Sequence, residues 1–192
     1  MSRVFYQVVV PNQMCNSKIE LPIESVFVFT WNCGDEYGKS VMLFDSISQK
    51  ARIIKIPRLD VGDGKSVIVK KAMIVFEEGS PGFGLRAYKY TSFEDPTNTV
   101  KTALDSLPYD DILYEFNVCN LANRLVILSG GENGEGVTAK VHALDTSTWK
   151  WQLLPDLNVA RSSHSSTCLA GVVYVTGGMD NNNDCLNSVE RL

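Results

Sequence analysis

Short apolar runs separated by polar, turn-forming residues dominate this chain of 192 residues. The runs are rich in Val, Ile, Phe and Tyr and are interrupted by Gly, Pro, Asn and Asp, which is typical of short β-strands joined by turns. No long stretch shows the roughly 3.6-residue apolar spacing of an amphipathic helix. The best helical candidate is residues 99–107, one or two turns inside a loop. The pattern therefore predicts an all-β fold.

Four segments of the chain share one order of features: an apolar strand ending at a proline, a pair of strands, and then a glycine. The prolines lie 46, 51 and 47 residues apart, at Pro11, Pro57, Pro108 and Pro155. The matching glycines follow them after 23, 22, 23 and 23 residues, at Gly34, Gly79, Gly131 and Gly178. So constant an offset indicates an internal repeat. Repeats of this length with several short strands favour the blades of a β-propeller, each an antiparallel sheet packed on its neighbours.

The repeat predicts one propeller region over residues 1–192, with four-stranded antiparallel sheets and about four blades or blade fragments. The expected units are 12–57, 58–108, 109–155 and 156–192, the last one incomplete, and residues 1–11 are expected to be the outer strand of a preceding blade. Because propellers close with about four to eight blades, we expect a fragment or truncated product of a longer propeller. Its further blades would come from sequence outside this chain.

Residues 125–178 resemble a kelch repeat. An apolar strand precedes the doublet Gly130 and Gly131, and Leu144 with Asp145 takes the place of the aromatic-Asp step. A tryptophan, Trp149, and an arginine, Arg161, follow in the kelch order. The resemblance implies a kelch-type β-propeller.

The units at the two ends of the chain match this pattern unequally. The final unit has a doublet, Gly177 and Gly178, followed by a polar loop and a strand, as kelch repeats do. The first two units are degenerate, since Gly34 and Gly79 each stand alone. An insertion around residues 91–107 also lengthens one loop of the second unit.

The residues of the motif have structural explanations. A glycine doublet at the end of a strand permits positive φ and the close approach of another backbone. A phosphate-binding loop is the rival interpretation, but the lysine and serine of such loops are missing and no helix follows. Trp149 is expected to fill the space between neighbouring sheets, and Arg161 and His164 to be structural polar residues at the start of a strand.

Few residues suggest catalysis. The stretch RSSHSS, residues 161–166, contains Ser and His, but the chain has no G-x-S-x-G element. The adjacent carboxylates of residues 77–78 and of residues 110–111 would point to opposite faces of a strand, so neither pair forms an acid/base couple. An enzyme built on a propeller, such as a sugar-processing hydrolase, epimerase or oxidase, is therefore the less favoured hypothesis.

Composition and charge limit the classes of partner and ligand that we expect this chain to bind. Lys and Arg total 18 against 22 Asp and Glu, and no concentrated basic face is evident, so we expect no nucleic acid. No signal peptide or membrane-spanning run is present, so we expect no membrane and a cytoplasmic protein. Five scattered cysteines without a C-x-x-C pair favour free thiols in a reducing compartment. With only two histidines, we expect no metal and no cofactor.

The resemblance also implies where a partner would bind. In kelch domains that bind peptides, contacts come from the loop after the doublet and from residues just beyond the arginine. On this chain the corresponding positions are Glu132, Asn133, Glu135, Ser162, Ser163, Asp180, Asn181, Asn182, Asn183 and Asp184. The alternative for the last five is a solvated turn, because Asn and Asp tolerate left-handed backbone. Basic residues that some kelch domains place in these loops are absent, which argues against an acidic peptide.

The predicted function is a protein–protein interaction module that presents propeller loops to a protein partner. The resemblance implies two more specific roles, a substrate-recognition part of a ubiquitin ligase adaptor or an actin-associated scaffold. Adaptors of that kind carry an added BTB, BACK or F-box domain, and none fits within these 192 residues.

Overall fold

The computed structural model describes the backbone of four strands within residues 4–55, and residues 65–77, 84–92, 97–105, 107 and 113–192. Two compact units make up the chain. The first comprises Met1–Asp60 and Ser92–Thr99, and the second comprises Val61–Thr91 and Val100–Leu192. Among the described residues, no helix is long and apolar enough to cross a membrane.

The first unit contains one antiparallel sheet. Its strands are β1 (Val4–Tyr6), β2 (Ser25–Thr30), β3 (Ser40–Asp45) and β4 (Lys50–Lys55), paired in that order. The expectation that residues 1–11 form the outer strand of a preceding blade is corrected here. Hydrogen-bonded pairing aligns β1 with β2 from Val4 opposite Thr30 to Tyr6 opposite Val28, so β1 is a strand of this same sheet.

The second unit begins with a second four-stranded antiparallel sheet. Its strands are β5 (Lys65–Val69), β6 (Ala72–Glu77), β7 (Arg86–Thr91) and β8 (Val100–Ala103), again in chain order. The helical candidate at residues 99–107 is wrong, because this stretch contains β8. All four residues of β8 are exposed, so the strand carries no apolar pattern and is set by its backbone pairing with β7.

The third and fourth sheets complete the second unit. The strands are β9 (Asn117–Leu121), β10 (Leu125–Ser129), β11 (Glu132–Asn133), β12 (Gly136–Val137), β13 (Val141–Asp145), β14 (Lys150–Leu154), β15 (Ser165–Leu169), β16 (Val172–Thr176) and β17 (Val189–Arg191). The third sheet has the order β9-β10-β13-β14, and the fourth has the order β15-β16-β17. Strands β11 and β12 form a small separate hairpin within the connection from β10 to β13.

Strand β10 shows why its sequence is a continuous apolar run. Alternate residues of a strand point to opposite faces of the sheet. Val126 and Leu128 join the core shared with the second sheet, whereas Ile127 joins the core shared with the fourth. Both faces of β10 are therefore buried, so the run needs no polar positions.

The core between the second and third sheets is built around Phe76, which is completely buried. Its ring meets Phe116 edge-on at 6.4 Å and Trp151 at 6.1 Å between centroids. The two sheets are also linked by a hydrogen bond, since the Asn120 side chain of β9 donates at 2.7 Å to the carbonyl of Ile68 in β5. This packing holds the two sheets in a fixed relation within the second unit.

Candidate functional site

The candidate site lies at the end of the third and fourth sheets where β10 and β16 finish and β9 and β15 begin. We define the loop face as four segments at this end. They are the β11–β12 hairpin with its turn (residues 132–137), the 180–184 turn, residues 114–115 before β9, and residues 162–163 before β15. Each predicted loop residue belongs to one of these segments.

The β11–β12 hairpin is anchored on both sides. Glu132 and Tyr114 exchange backbone hydrogen bonds of 2.8 and 2.9 Å. The Val137 N–H donates a 2.7 Å hydrogen bond to Oδ1 of Asn181. Two loops that are 44 residues apart in the chain are thus joined directly.

The segments before β9 and β15 are also joined. Ser163 donates from its backbone N–H to the Glu115 carbonyl at 2.9 Å and from Oγ to the Glu115 carboxylate at 2.9 Å. Both residues have left-handed backbone, with φ of 51° and 50°. Sequence reasoning named Ser163 and missed Glu115, although Glu115 stands one repeat period before it.

The 180–184 turn is organised by its own side chains. Oδ1 of Asp180 accepts hydrogen bonds from the backbone N–H groups of Asn182 and Asp184 at 2.8 and 3.0 Å. Asn183 has a φ of 62°, which Asn tolerates better than most residues. The turn residues therefore divide into Asp180 and Asn183, which shape the turn, and Asn181, which reaches the hairpin.

The loop face carries acidic side chains, namely Glu115, Glu132, Glu135, Asp180 and Asp184. Within the described third and fourth sheets, the two cations at this end are engaged elsewhere. Lys140 pairs with Asp156 at 2.8 Å and Arg161 pairs with Glu190 at 2.6 Å. These two sheets therefore contribute more carboxylates than unpaired cations to the loop face.

The two glycine doublets lie at the loop face, where the backbone of other segments approaches them. Gly130 and Gly131 have φ of 56° and 110°, and Gly177 and Gly178 have φ of 67° and 95°. A Cβ on Gly130 would overlap the Arg161 carbonyl, and one on Gly178 would lie 2.5 Å from the Ser162 carbonyl. Gly177 is less crowded, because its nearest neighbour would be 3.8 Å away. Gly34 and Gly79 lie outside the described residues.

Arg161 is the largest fully buried side chain among the residues that the structure describes. It donates to the carbonyl of Gly177 at 2.8 Å, to Oγ of Ser188 at 3.0 Å and to the carboxylate of Glu190 at 2.6 Å. Asn158 donates to the same carboxylate from its side chain at 2.9 Å. Burial by itself raises the pKa of Glu190, but the hydrogen bonds from Asn158, Arg161 and Val159 outweigh it and hold this pKa below its ordinary value. The ion pair fastens β17 to the segment that leads into β15.

His164 lies behind the loop face rather than on it. Its Nε2 is 3.0 Å from Oγ of Ser129, and the two residues are 5% and 0% exposed. Burial and, after it, the nearby charge of Arg161 lower the pKa of His164 from 6.5 to about 4. The ring is therefore neutral at pH 7. Because both side chains are buried, this serine–histidine contact does not present a nucleophile to solvent.

The two tryptophans of the third sheet pack towards the second sheet. Trp149 has left-handed backbone, with φ of 59°, and packs against the core that these sheets share. The Lys89 ammonium lies 4.4 Å from the centre of its ring. Trp151, which sequence reasoning did not single out, meets Phe76 and donates a 3.0 Å hydrogen bond to the Asp105 carbonyl.

Comparison with known proteins finds a kelch motif in one segment of the chain. The family model of the kelch motif matches residues 160–192. The solved structure of YjhT aligns with a TM-score of 0.59 at 15% sequence identity, covering 78% of this chain and 48% of that one. This chain thus spans about half the length of YjhT. No curated protein matches the chain. The predicted all-β fold and the partial kelch-type propeller are confirmed.

Proposed function

We propose that this chain, which has a kelch motif at residues 160–192 and the fold of a partial β-propeller, is a protein–protein interaction module that binds its partner through the loop face. The observation that carries this proposal is the contact between loops of successive sheets, from Val137 N–H to Asn181 Oδ1. This hydrogen bond joins the loops of two sheets into one continuous surface on a rigid scaffold. Loops held on packed sheets are where repeat proteins commonly place binding residues.

The charge of the loop face favours a partner segment that carries lysine or arginine. Five carboxylates lie on the face, while Lys140 and Arg161 are paired with other acids. Such a field raises the rate of encounter with a basic partner and disfavours an acidic one. The association should weaken as salt is added, because exposed charges are screened.

Two more specific roles remain within this proposal. As a ubiquitin ligase adaptor, the module would hold a substrate protein on the loop face. As a cytoskeletal scaffold, it would hold actin there. An enzymatic role has less support, because the Ser129–His164 contact is buried.

The test is a charge reversal on the face with a matched reversal elsewhere. Glu135→Lys changes an exposed residue at the tip of the hairpin, whereas Asp105→Lys changes an exposed residue after β8 in the second sheet. Each alters the net charge equally. Proteins bound in cells are captured by proximity labelling with the wild-type chain and with both variants, and are identified by mass spectrometry.

We expect some of the proteins captured by the wild-type chain to be absent with Glu135→Lys and still present with Asp105→Lys. Ligase components and their substrates among them would favour the adaptor role, and actin would favour the scaffold role. A set of bound proteins that is identical for all three chains would contradict the loop face as the binding surface.

A further inference from the structure

The turn of the β11–β12 hairpin holds the one Asn-Gly pair of the sequence, Asn133 and Gly134. The hairpin pairs Asn133 with Gly136, so Gly134 and Glu135 form its exposed tip. An asparagine followed by glycine is open to attack on its side-chain amide by the next backbone nitrogen, because glycine has no Cβ to obstruct the approach. From this placement we propose that Asn133 is a site of spontaneous deamidation in the folded protein.

The reaction needs only the chain and water. The backbone nitrogen of Gly134 bonds to Cγ of Asn133, the bond from Cγ to Nδ2 breaks, and ammonia leaves with the proton that Gly134 N–H gives up. The product is a five-membered succinimide. Water then opens either of its two carbonyls, giving aspartate or isoaspartate at position 133. The sum is one water consumed and one ammonia released.

The hairpin supplies a group that assists this step. The Glu135 N–H donates a 2.9 Å hydrogen bond to Oδ1 of Asn133. That oxygen gains negative charge when the Gly134 nitrogen adds to Cγ. A backbone donor already aimed at a developing oxyanion lowers the barrier, because no reorganisation is needed when the charge forms. The native turn therefore promotes the reaction.

Other asparagines of the described chain lack this combination. The amide of Asn117 is held at both ends, by donating to the His164 carbonyl at 3.0 Å and accepting from Ser166 at 2.8 Å. Asn181 has a comparable carbonyl hydrogen bond from Val137, but Asn182 follows it instead of glycine. Asn181 is thus an internal control for the effect of the following glycine, because it has the hydrogen bond to its side-chain carbonyl but no glycine after it.

The modification would change the loop face. Aspartate at position 133 adds a carboxylate between Glu132 and Glu135. Isoaspartate adds a methylene to the backbone, which is incompatible with the pairing of Asn133 with Gly136. The Val137 N–H, one residue further along β12, would then be displaced from Asn181.

The experiment follows the whole purified chain in ¹⁸O-labelled water at neutral and mildly alkaline pH, with one sample native and one in denaturant. Peptide mass spectrometry locates incorporated ¹⁸O, and an isoaspartate methyltransferase reports the isoaspartate product. We expect label at Asn133 in the native chain, at a rate at least equal to that in denaturant, with Asn181 and Asn182 unlabelled over the same period. Gly134→Ala should slow the incorporation severalfold.

Two outcomes would overturn the proposal. One is label at Asn133 that appears severalfold faster in denaturant than in the native chain, since the folded turn would then protect the amide. The other is equal labelling of Asn133 and Asn181, since the glycine would then have no effect. Both comparisons use the wild-type chain, so they do not depend on how Gly134→Ala folds.

Discussion

At the scale of single residues, Gly130 and Gly171 illustrate two different reasons why a position requires glycine. Both have left-handed backbone, with φ of 56° and 79°. A Cβ on Gly171 would meet nothing within 4 Å, whereas a Cβ on Gly130 would overlap the Arg161 carbonyl and lie 2.7 Å from Cε1 of His164. Gly171 thus provides only a backbone conformation, while Gly130 also provides space for a neighbouring segment.

We therefore expect Gly171→Ala to lower the free energy of unfolding by about 1 kcal/mol, the cost of left-handed backbone for a residue with a Cβ. Gly130→Ala should lower it by about 3 kcal/mol or more, because the added overlap cannot relax without moving backbone. Urea unfolding of the two variants measures the difference. Equal effects would mean that the contact with Arg161 places no demand on residue 130.

His164 gives the chain a dependence on pH. Its pKa is about 4 in the folded state, below the ordinary value of 6.5, because burial disfavours the charged ring. A lowered histidine pKa stabilises the fold fully above pH 6.5, and this contribution is lost as the pH falls towards 4, where the unfolded chain takes up the proton first.

The shift corresponds to about 3 kcal/mol of stability. We expect the free energy of unfolding of the wild type to fall as the pH is lowered from 6.5 to 4. The free energy of unfolding of His164→Gln should change much less over the same range. Nuclear magnetic resonance of the wild-type ring gives a second measurement that does not need the variant. A ring that titrates near pH 6.5 in the folded protein would refute the prediction.

At the scale of elements, the strands differ in how visibly the sequence encodes them. The apolar run of β10 predicts a buried strand, and the structure buries both of its faces. Strand β8 has no such pattern, since its residues are all exposed and its partner is the backbone of β7. Strands β11 and β12 have two residues each and depend on contacts with Tyr114 and Asn181. Local sequence predicts a strand well only where burial imposes its pattern.

Strand β17 depends on a buried ion pair. Glu190 accepts hydrogen bonds from Arg161, Asn158 and Val159, all in the segment that leads into β15. Glu190→Gln removes the charge and places an amide NH₂ among donors, leaving Arg161 buried without its counter-charge. We expect a loss of about 3–5 kcal/mol in the free energy of unfolding at pH 7.

The same variant should be less sensitive to acid than the wild type. Because the pKa of Glu190 is lowered in the folded state, its contribution is present above its ordinary value of 4.5 and is lost as the pH falls through the folded pKa. Ser188→Ala, which removes one weaker partner of Arg161, serves as the control. Equal stability of Glu190→Gln and the wild type would show that the ion pair does not hold β17.

At the scale of the whole molecule, the second unit behaves as a stack of sheets that share cores. Phe76 belongs to the second sheet, and its ring meets Phe116 and Trp151 at the third. We expect Phe76→Ala to cost about 3–5 kcal/mol, because it removes a buried ring from a core that cannot collapse fully. Hydrogen exchange should then show weaker protection in β10 as well as in β6. Loss confined to β6 would show that the two sheets unfold independently.

Sequence alone determined the all-β composition, the repeat, the glycine doublets and the loops of the candidate site. These features depend on residues close together in the chain, through alternation of side chains and through φ. The tertiary structure decided which segments meet: Val137 with Asn181 across 44 residues, Arg161 with Glu190 across 29, and β1 with β2. Such contacts leave no local pattern, because backbone groups and polar side chains can pair with many partners, and only the packed sheets bring one particular counterpart within hydrogen-bonding distance.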